Sequence, residues 1–226
     1  MTAMPVRRIC LVGATGLVGQ TLIEEAIPRS DVRIVAVARR EMPLPYGARM
    51  EMLVAETASW PQAIVASGAD VLVCALGTTI SKAGSQKAFR AVDHDLVLAC
   101  AHAARSAGIS HMIAVSSVGA DRASGNFYLR TKGETEDALG KLGFRRLDML
   151  RPGLLLGKRN ERRPLEWAGQ WLAPVADALV LHGKYRRYRS IRARTVAHAI
   201  FSLAHEKAQG RFIHEYESIR FALRRG

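Results

Sequence analysis

Several features that mark other classes of protein are scarce in this sequence. Its three cysteines, Cys10, Cys74 and Cys100, show no CxxC spacing, so they predict neither a disulfide framework nor a metal site. No apolar run is long enough to cross a bilayer, and Met1 to Arg8 lacks the apolar core of a secretory signal. We therefore expect a soluble, cytoplasmic protein without a membrane segment.

Positive charge is in excess and is unevenly distributed. The net charge is +13, and residues 114–226 carry 22 Lys and Arg against 11 Asp and Glu. Such an excess attracts phosphate-rich cofactors, anionic substrates or nucleic acid. The basic runs at residues 158–163 and 184–194 contain few aromatic residues and match no recognition motif, so we do not expect a nucleic-acid partner.

Apolar runs that suit buried strands alternate with segments of helical periodicity. This alternation predicts an α/β fold, a Rossmann-type doubly wound and mostly parallel sheet with helices on both faces. The length of 226 residues suits a single domain over residues 1–226. The pattern weakens after Pro152, so residues 153–192 are predicted to form a small C-terminal excursion on the substrate side. The predicted strands are Val6–Val12, Val32–Ala38, Met50–Val54, Asp70–Leu76, His111–Ser116 and Arg145–Leu150.

A glycine-rich loop joins the first predicted strand to the first predicted helix. In Gly13-x-x-Gly16-x-x-Gly19 the first glycine permits a tight turn, the second lets a pyrophosphate approach the backbone, and the third allows helix and strand to pack closely. The following helix N-terminus offers N–H groups to an anion. The position between a strand and a helix makes this pattern a dinucleotide site. Its expected binding residues are Gly13, Thr15, Gly16, Leu17, Val18 and Gly19.

The end of the second predicted strand carries Arg39 and Arg40. An acidic side chain at this place would bind the ribose 2′-hydroxyl of NAD. A guanidinium group instead matches a phosphate dianion, so the sequence favours the 2′-phosphate of NADP(H). The alternative is a pair of solvated arginines at a strand end.

Tyr128 and Lys132 lie four residues apart and share a face of a predicted helix. A tyrosine hydroxyl ordinarily titrates near pH ~10, and a neighbouring ammonium group stabilises its phenolate. Tyr128 is therefore a candidate proton donor or base, with Lys132 assisting it. Ser116 and Ser117 end the preceding strand, where one hydroxyl could hold a substrate oxygen. We choose Ser117, since alternation along the strand directs only one of them to the cofactor side.

Asp93 and Asp95, with His94 between them, invite a metal or acid–base interpretation. Carboxylates are also stabilised near the N-terminus of a helix by its dipole. We prefer this structural interpretation, with both carboxylates early in a helix and no bound metal.

The combination of these motifs resembles the atypical short-chain dehydrogenase/reductase superfamily. A finer set of segments is similar to the Tat-interacting-protein-2-like oxidoreductases, over about residues 6–175. These segments are Cys74–Thr79, Ser116–Asp121, Asn126–Glu134 and Arg151–Gly157. The resemblance implies NADP(H) on the glycine loop and the arginine pair, and a reaction centre at Tyr128 and Lys132. It further implies that Leu76, Gly77, Leu155 and Arg163 lie along the cofactor.

Two functions are compatible with this sequence. The first is an NADP(H)-dependent oxidoreductase that moves a hydride between nicotinamide and a carbonyl or alcohol carbon of a small-molecule substrate, with Tyr128 as acid or base. The second is an NADP(H)-binding regulatory or redox-sensing protein that acts through protein partners, because a fold does not fix a function. Pocket residues from the irregular excursion do not reveal the substrate.

Overall fold

The predicted strands form one parallel sheet in a computed structural model, which describes residues 5–157 and 183–222. The strands are β1 (Arg7–Val12), β2 (Val32–Ala38), β3 (Met50–Val54), β4 (Val71–Cys74), β5 (His111–Val115), β6 (Arg146–Leu150) and, after a separate short pair, β9 (Gly210–His214). Among the described residues their order in the sheet is β3-β2-β1-β4-β5-β6-β9, and every neighbouring pair is parallel. The order reverses between β1 and β4, which places a ligand crevice outside the carboxyl ends of these two strands. The predicted Rossmann-type, doubly wound α/β fold is confirmed.

Helices cover both faces of the sheet and divide the core into two clusters. Along β1, Ile9 and Leu11 point into one cluster, whereas Cys10 and Val12 point into the other, as strand alternation requires. The helices are α1 (Leu17–Ala26), α2 (Trp60–Ala66), α3 (Ile80–Ala83), α4 (Gln86–Arg90), α5 (Val97–Ser106), α6 (Phe127–Gly140), α7 (Ala193–Ala204) and α8 (Tyr216–Ala222). The first cluster packs against α1, α7 and α8, and the second against α2, α5 and α6.

A π-helical turn, Ala91–Leu96, joins α4 to α5. Short 3-10 helices occur at Thr57–Ser59 and Gly183–Tyr188. The three cysteines are buried, and Cys10 and Cys74 lie in strands as small apolar residues.

The edge strand β9 is held to the sheet by a buried carboxylate. Asp148 of β6 has no exposed surface, and its oxygens lie 2.8 Å from Nε2 of His111 and 2.7 Å from Nε2 of His214. Arg146 adds donors at 2.6 and 2.8 Å. These three partners hold the pKa of Asp148 far below its usual range, although burial opposes the shift.

The excursion after Pro152 begins with a small parallel pair of strands, β7 (Leu155–Leu156) and β8 (Ile191–Arg192). A Cβ on Gly153 would lie 2.4 Å from the carbonyl oxygen of Arg189, so the backbone here passes directly against the segment before β8. Residues 158–182, including Arg163, lie outside the described residues.

Candidate functional site

The glycine loop forms a crowded turn with one open position. Gly13 has a φ of +90°, and a Cβ on it would lie 2.5 Å from the carbonyl of Ala75. A Cβ on Gly19 would lie 2.3 Å from the carbonyl oxygen of Gly13. A Cβ on Gly16 would meet nothing closer than 3.4 Å, so Gly16 is open toward an approaching ligand. The first and third glycines therefore shape the turn, and the second leaves room over the backbone.

The helix that follows is left uncapped. The N-cap of α1 is Gly16, which has no side chain to cap the helix, and the first turn holds no acidic residue. Leu17 and Val18 have buried side chains, so these residues can offer a ligand only their backbone, whereas Thr15 is exposed. Free N–H groups at a helix N-terminus bind anions. The loop thus fits the pyrophosphate of a dinucleotide.

Arg39 and Arg40 directly follow β2, at the carboxyl edge of the sheet. Both side chains are exposed, and among the described residues neither has an ion-pair partner. Their guanidinium groups remain available to an anion beside the glycine loop.

Tyr128 lies in the first turn of α6. The side chain of Asn126 caps this helix by accepting a hydrogen bond from the N–H of Leu129 at 3.1 Å. The Tyr128 ring is half-buried and packs against the ring of Phe89, with 5.5 Å between centroids. This contact and the cap hold the Tyr128 ring in place at the start of α6.

Lys132, one turn further along α6, is buried and forms an ion pair with Asp93. Its Nζ lies 2.6 Å from Oδ1 of Asp93, and the side chains are 7% and 0% exposed. Burial would lower the pKa of Lys132, but the Asp93 carboxylate outweighs it, and the phenol of Tyr128 adds a smaller effect in the same direction. The pKa of Lys132 is therefore raised, and Lys132 is an ammonium ion at neutral pH.

The position of Asp93 differs from the one expected. It lies within the π-helical turn between α4 and α5, not early in a helix, and is 1% exposed. The other carboxylate oxygen, Oδ2, accepts a hydrogen bond from the backbone N–H of Thr78 at 2.8 Å. A sequence signal did exist, since Asp93 lies four residues from each of the buried residues Phe89 and Val97 and so occupies the buried stripe of the helix.

Gly77 covers the ion pair on its exposed side. A Cβ on Gly77 would lie 3.7 Å from Oδ1 of Asp93 and 4.0 Å from Nζ of Lys132. Gly77 is exposed and Leu76 is half-buried, just beyond the end of β4. Gly77 thus covers the ion pair with backbone alone, because it has no side chain.

The two serines after β5 have different surroundings. The N–H of Ser116 donates to the carbonyl of Leu150 at 2.7 Å, so strand pairing continues through this residue. Alternation then directs Ser116 to the same face as Met112 and Ala114, which is the α6 face. Oγ of Ser116 is buried without a partner among the described residues, whereas Oγ of Ser117 lies 3.4 Å from the carbonyl of Val118. The choice of Ser117 stays a prediction, and Ser116 is an equal candidate.

The resemblance implies that two residues of the excursion, Leu155 and Arg163, lie along the cofactor. Of these two, the structure describes Leu155. It lies in β7, half-buried, and packs against the first core cluster. In the same segment a Cβ on Gly157 would lie 2.8 Å from the side chain of Leu17, so β7 passes close to the start of α1.

Two kinds of site are absent from the part of the chain that the structure describes. No group of three or more His, Cys, Asp or Glu is placed to hold a metal ion. Over the same residues, no helix combines the length and apolarity needed to span a bilayer.

The family comparison agrees with this geometry. Residues 13–169 match the family described as NAD(P)H-binding, and the match begins at the first glycine of the loop. A nicotinamide dinucleotide is therefore the ligand class of this site.

The most informative sequence relatives are fungal proteins. The chain is 35% identical over 172 residues to "Protein fmp52, mitochondrial" of Emericella nidulans, covering 73% of this chain and 74% of the relative. It is 36% identical over 160 residues to the protein of the same name in Candida albicans, covering 69% and 70%. These names overturn the expectation of a cytoplasmic protein. That expectation used only the lack of a secretory signal and of a membrane span, and mitochondrial proteins can share both features.

Solved structures with this fold include the Bordetella bronchiseptica enzyme WbmH in complex with NAD+, with a TM-score of 0.70, 13% identity and coverage of 93% of this chain and 76% of that one. A UDP-N-acetylglucosamine 4-epimerase from Methanobrevibacter ruminantium M1 has a TM-score of 0.67, 14% identity and coverage of 94% and 77%. At this identity the likeness concerns the fold. Taken with the family match and the fungal relatives, the loop, sheet order and buried lysine lead to one assignment. The chain belongs to the NAD(P)H-binding family, within the atypical short-chain dehydrogenase/reductase superfamily, and is a relative of the fmp52 proteins.

Proposed function

We propose that the protein is an NADP(H)-dependent oxidoreductase that interconverts a carbonyl and an alcohol on a small-molecule substrate. The observation that carries this proposal is Lys132, a buried ammonium one helical turn from Tyr128 that lies beside Gly77, just beyond the carboxyl end of β4. A buried charge is costly unless it has a task or a partner. Here it has a partner in Asp93, and it lies near the carboxyl edge of the sheet, where a dinucleotide would bind.

The preference for NADP(H) over NAD(H) is supported by Arg39 and Arg40. Both are exposed at the carboxyl end of β2, next to the loop that would bind the pyrophosphate. A planar guanidinium group offers two parallel donors to a phosphate, and this contact is charge-assisted. The 2′-phosphate of NADP(H) supplies the matching charge.

The residues of the reaction centre divide the work between proton transfer and charge stabilisation. The cofactor, when bound, supplies or accepts the hydride. In carbonyl reduction the Tyr128 hydroxyl donates its proton to the substrate oxygen as that oxygen gains negative charge. The Lys132 ammonium stabilises the negative charge that then develops on the Tyr128 oxygen. In alcohol oxidation the same proton moves in the opposite direction.

The substrate oxygen also needs a second hydrogen-bond donor. Ser117, or Ser116 on the α6 face, is proposed for this role because both hydroxyls follow β5 at the carboxyl edge of the sheet. The excursion over residues 153–192, with Leu155 and Arg163, is proposed as the substrate side of a single domain.

The decisive test compares Tyr128→Phe with the parent protein on a panel of aldehydes, ketones and alcohols, following NADPH absorbance. Loss of a general acid costs about 10²- to 10⁴-fold in rate, so we expect kcat to fall by that amount while NADPH still binds. Tyr46→Phe is the matched control, because that side chain is fully exposed and distant in sequence from the site.

Equal rates for Tyr128→Phe and the parent would show that Tyr128 is not the acid or base of the reaction. Tight NADPH binding without turnover of any panel substrate would instead favour the regulatory function, in which the protein senses the cofactor and acts through partners.

A further inference from the structure

Among the residues that the structure describes, Asp93 is the fully buried carboxylate that contacts Lys132. We propose that Asp93 is a positioning residue, which keeps Lys132 as an ammonium ion and fixes it beside Tyr128. This inference deepens the proposed function and rests on it.

The π-helical turn determines where the Asp93 carboxylate lies. A π turn inserts a residue into the helix and leaves a backbone carbonyl without its regular partner. Here the hydroxyl of Thr135 in α6 lies 3.0 Å from the carbonyl of Asp93 and 2.8 Å from that of Thr131, and its one proton is shared between the two acceptors. Thr135 lies one turn beyond Lys132 on the same helix. The turn that carries Asp93 is therefore tied to the helix that carries Lys132 and Tyr128.

The Asp93 carboxylate joins two further parts of the site. Oδ1 contacts Nζ of Lys132 at 2.6 Å, and Oδ2 accepts the N–H of Thr78 at 2.8 Å. Thr78 directly follows Gly77, which lies beside the pair without a side chain. One carboxylate thus joins the loop after β4 to the lysine of α6.

The other groups that face Lys132 do not replace this charge. Tyr128 faces it from α6, and Cys74 faces it from β4. Burial raises the pKa of Cys74 to about 11, so this thiol is neutral at physiological pH. Asp93 is the carboxylate among these neighbours, and it contacts Nζ of Lys132 directly.

Without Asp93, only the smaller effects of Tyr128 and Cys74 would oppose the effect of burial on the pKa of Lys132. Buried lysines lose protons far more readily than exposed ones, with pKa values lowered by up to about 3–5 units. A neutral Lys132 could not stabilise negative charge on the Tyr128 oxygen. We therefore expect the positive charge of Lys132 to persist across the neutral pH range in the parent and to depend on pH in Asp93→Asn.

The test measures the protonation of Lys132 directly. The chain has seven lysines, so Lys132→Arg assigns the Lys132 side-chain signal in a protein with isotope-labelled lysine. In the parent, this signal should not titrate below about pH 10. In Asp93→Asn, which keeps a side-chain oxygen for the N–H of Thr78, the midpoint should fall by more than about one pH unit. Asp95→Asn is the matched control, because it removes the same charge from the same turn at a side chain that is 62% exposed.

The kinetic readout is the pH profile of kcat. Asp93→Asn should lose activity as the pH rises through the lowered pKa of Lys132, at a pH where the parent and Asp95→Asn remain active. An unchanged Lys132 midpoint in folded Asp93→Asn would overturn the proposal. If that variant does not fold, a parent Lys132 that titrates at or below the ordinary lysine value would overturn it alone. A parent without any turnover would contradict the proposed function, while the Lys132 titration would still decide whether Asp93 holds the charge.

Discussion

A side chain on Gly13 would collide with the backbone of Ala75, because its Cβ would lie 2.5 Å from that carbonyl. The loop after β1 thus crosses the end of β4 at van der Waals contact, and this crossing forms one wall of the crevice. The three glycines of the loop should respond differently to the same small substitution.

Gly13→Ala and Gly19→Ala should destabilise the fold, because each new Cβ would lie within 2.5 Å of a backbone atom and the backbone must move. Gly16→Ala should fold normally, since its nearest neighbour would be 3.4 Å away. It should nonetheless bind NADPH about tenfold more weakly or worse, because the methyl group occupies the space that a phosphate needs to reach N–H donors worth about 1.5–3 kcal/mol. Thermal unfolding and NADPH titration measure the two effects. Unchanged NADPH affinity in Gly16→Ala would show that the pyrophosphate does not bind at this loop.

The double variant Arg39→Ala, Arg40→Ala tests the choice of cofactor. It should weaken NADPH binding by about 10- to 100-fold, since a charge-assisted hydrogen bond contributes about 1.5–3 kcal/mol. NADH binding should change little, because NADH has no 2′-phosphate. Arg33→Ala is the control, as this arginine is exposed on β2 away from the carboxyl edge. Equal loss for both cofactors would indicate a general effect of charge instead of 2′-phosphate recognition.

Ser116→Ala and Ser117→Ala distinguish the two candidates for the second hydrogen-bond donor. The residue that holds the substrate oxygen should lower kcat by about 10²-fold or more when its hydroxyl is removed. The other substitution should leave kcat within about a factor of three, because that hydroxyl makes no contact that forms only in the transition state. Steady-state kinetics on the best panel substrate gives the answer. Similar small losses for both serines would show that neither hydroxyl performs this role.

Asp148→Asn should strongly destabilise the protein. Removing this carboxylate leaves Arg146 without its buried partner, and breaking a buried ion pair in this way costs about 3–5 kcal/mol. Glu51→Gln, which breaks an ion pair with Arg8 at a side chain that is 60% exposed, should cost less than about 1 kcal/mol. Chemical denaturation of both variants measures the free energies of unfolding.

The same carboxylate should make stability depend on acid. The pKa of Asp148 is lower in the folded protein than in the unfolded chain, so its contribution is fully present above the unfolded value near pH ~4. It is lost as the pH falls through the folded value. The parent should therefore lose stability below about pH 5, and Asp148→Asn should show a shallower loss over that window. Parallel slopes would assign the acid sensitivity to other carboxylates.

Most of the sheet could be predicted because its central strands are apolar runs with buried residues on both faces. The predicted β2 and β3 match the observed bounds, and β1, β5 and β6 differ by one residue at one end. The two edge strands both lack buried residues, but β3 has four apolar residues of five, whereas β9 was missed because it has only Phe212 and Ile213. Strand β9 pairs with β6 and contacts Asp148 through His214, and periodicity does not reveal partners over 60 positions away.

The local geometry of the candidate site could be predicted where a motif determines it, while the roles of these residues stay predictions. The glycine loop and the Tyr128–Lys132 spacing are of this kind, because local backbone structure brings their parts together. Asp93 is different, since its role depends on a π turn and on the neighbouring helix α6. A carboxylate on the buried stripe of a helix needs a counter-ion, and that requirement was the available clue.

The attachment of β9 has a consequence for the order of folding. This strand pairs with β6 across residues 151–209, a loop about as long as the one over residues 13–70 that separates β1 from β4. Contacts at such separation form slowly, because the chain entropy of loop closure must be overcome before they stabilise anything. The connections within β1–β2–β3 and within β4–β5–β6 are shorter. These two groups of strands should therefore form before β1 meets β4 and before β9 joins β6, with the contact between Asp148 and His214 among the last native interactions to form.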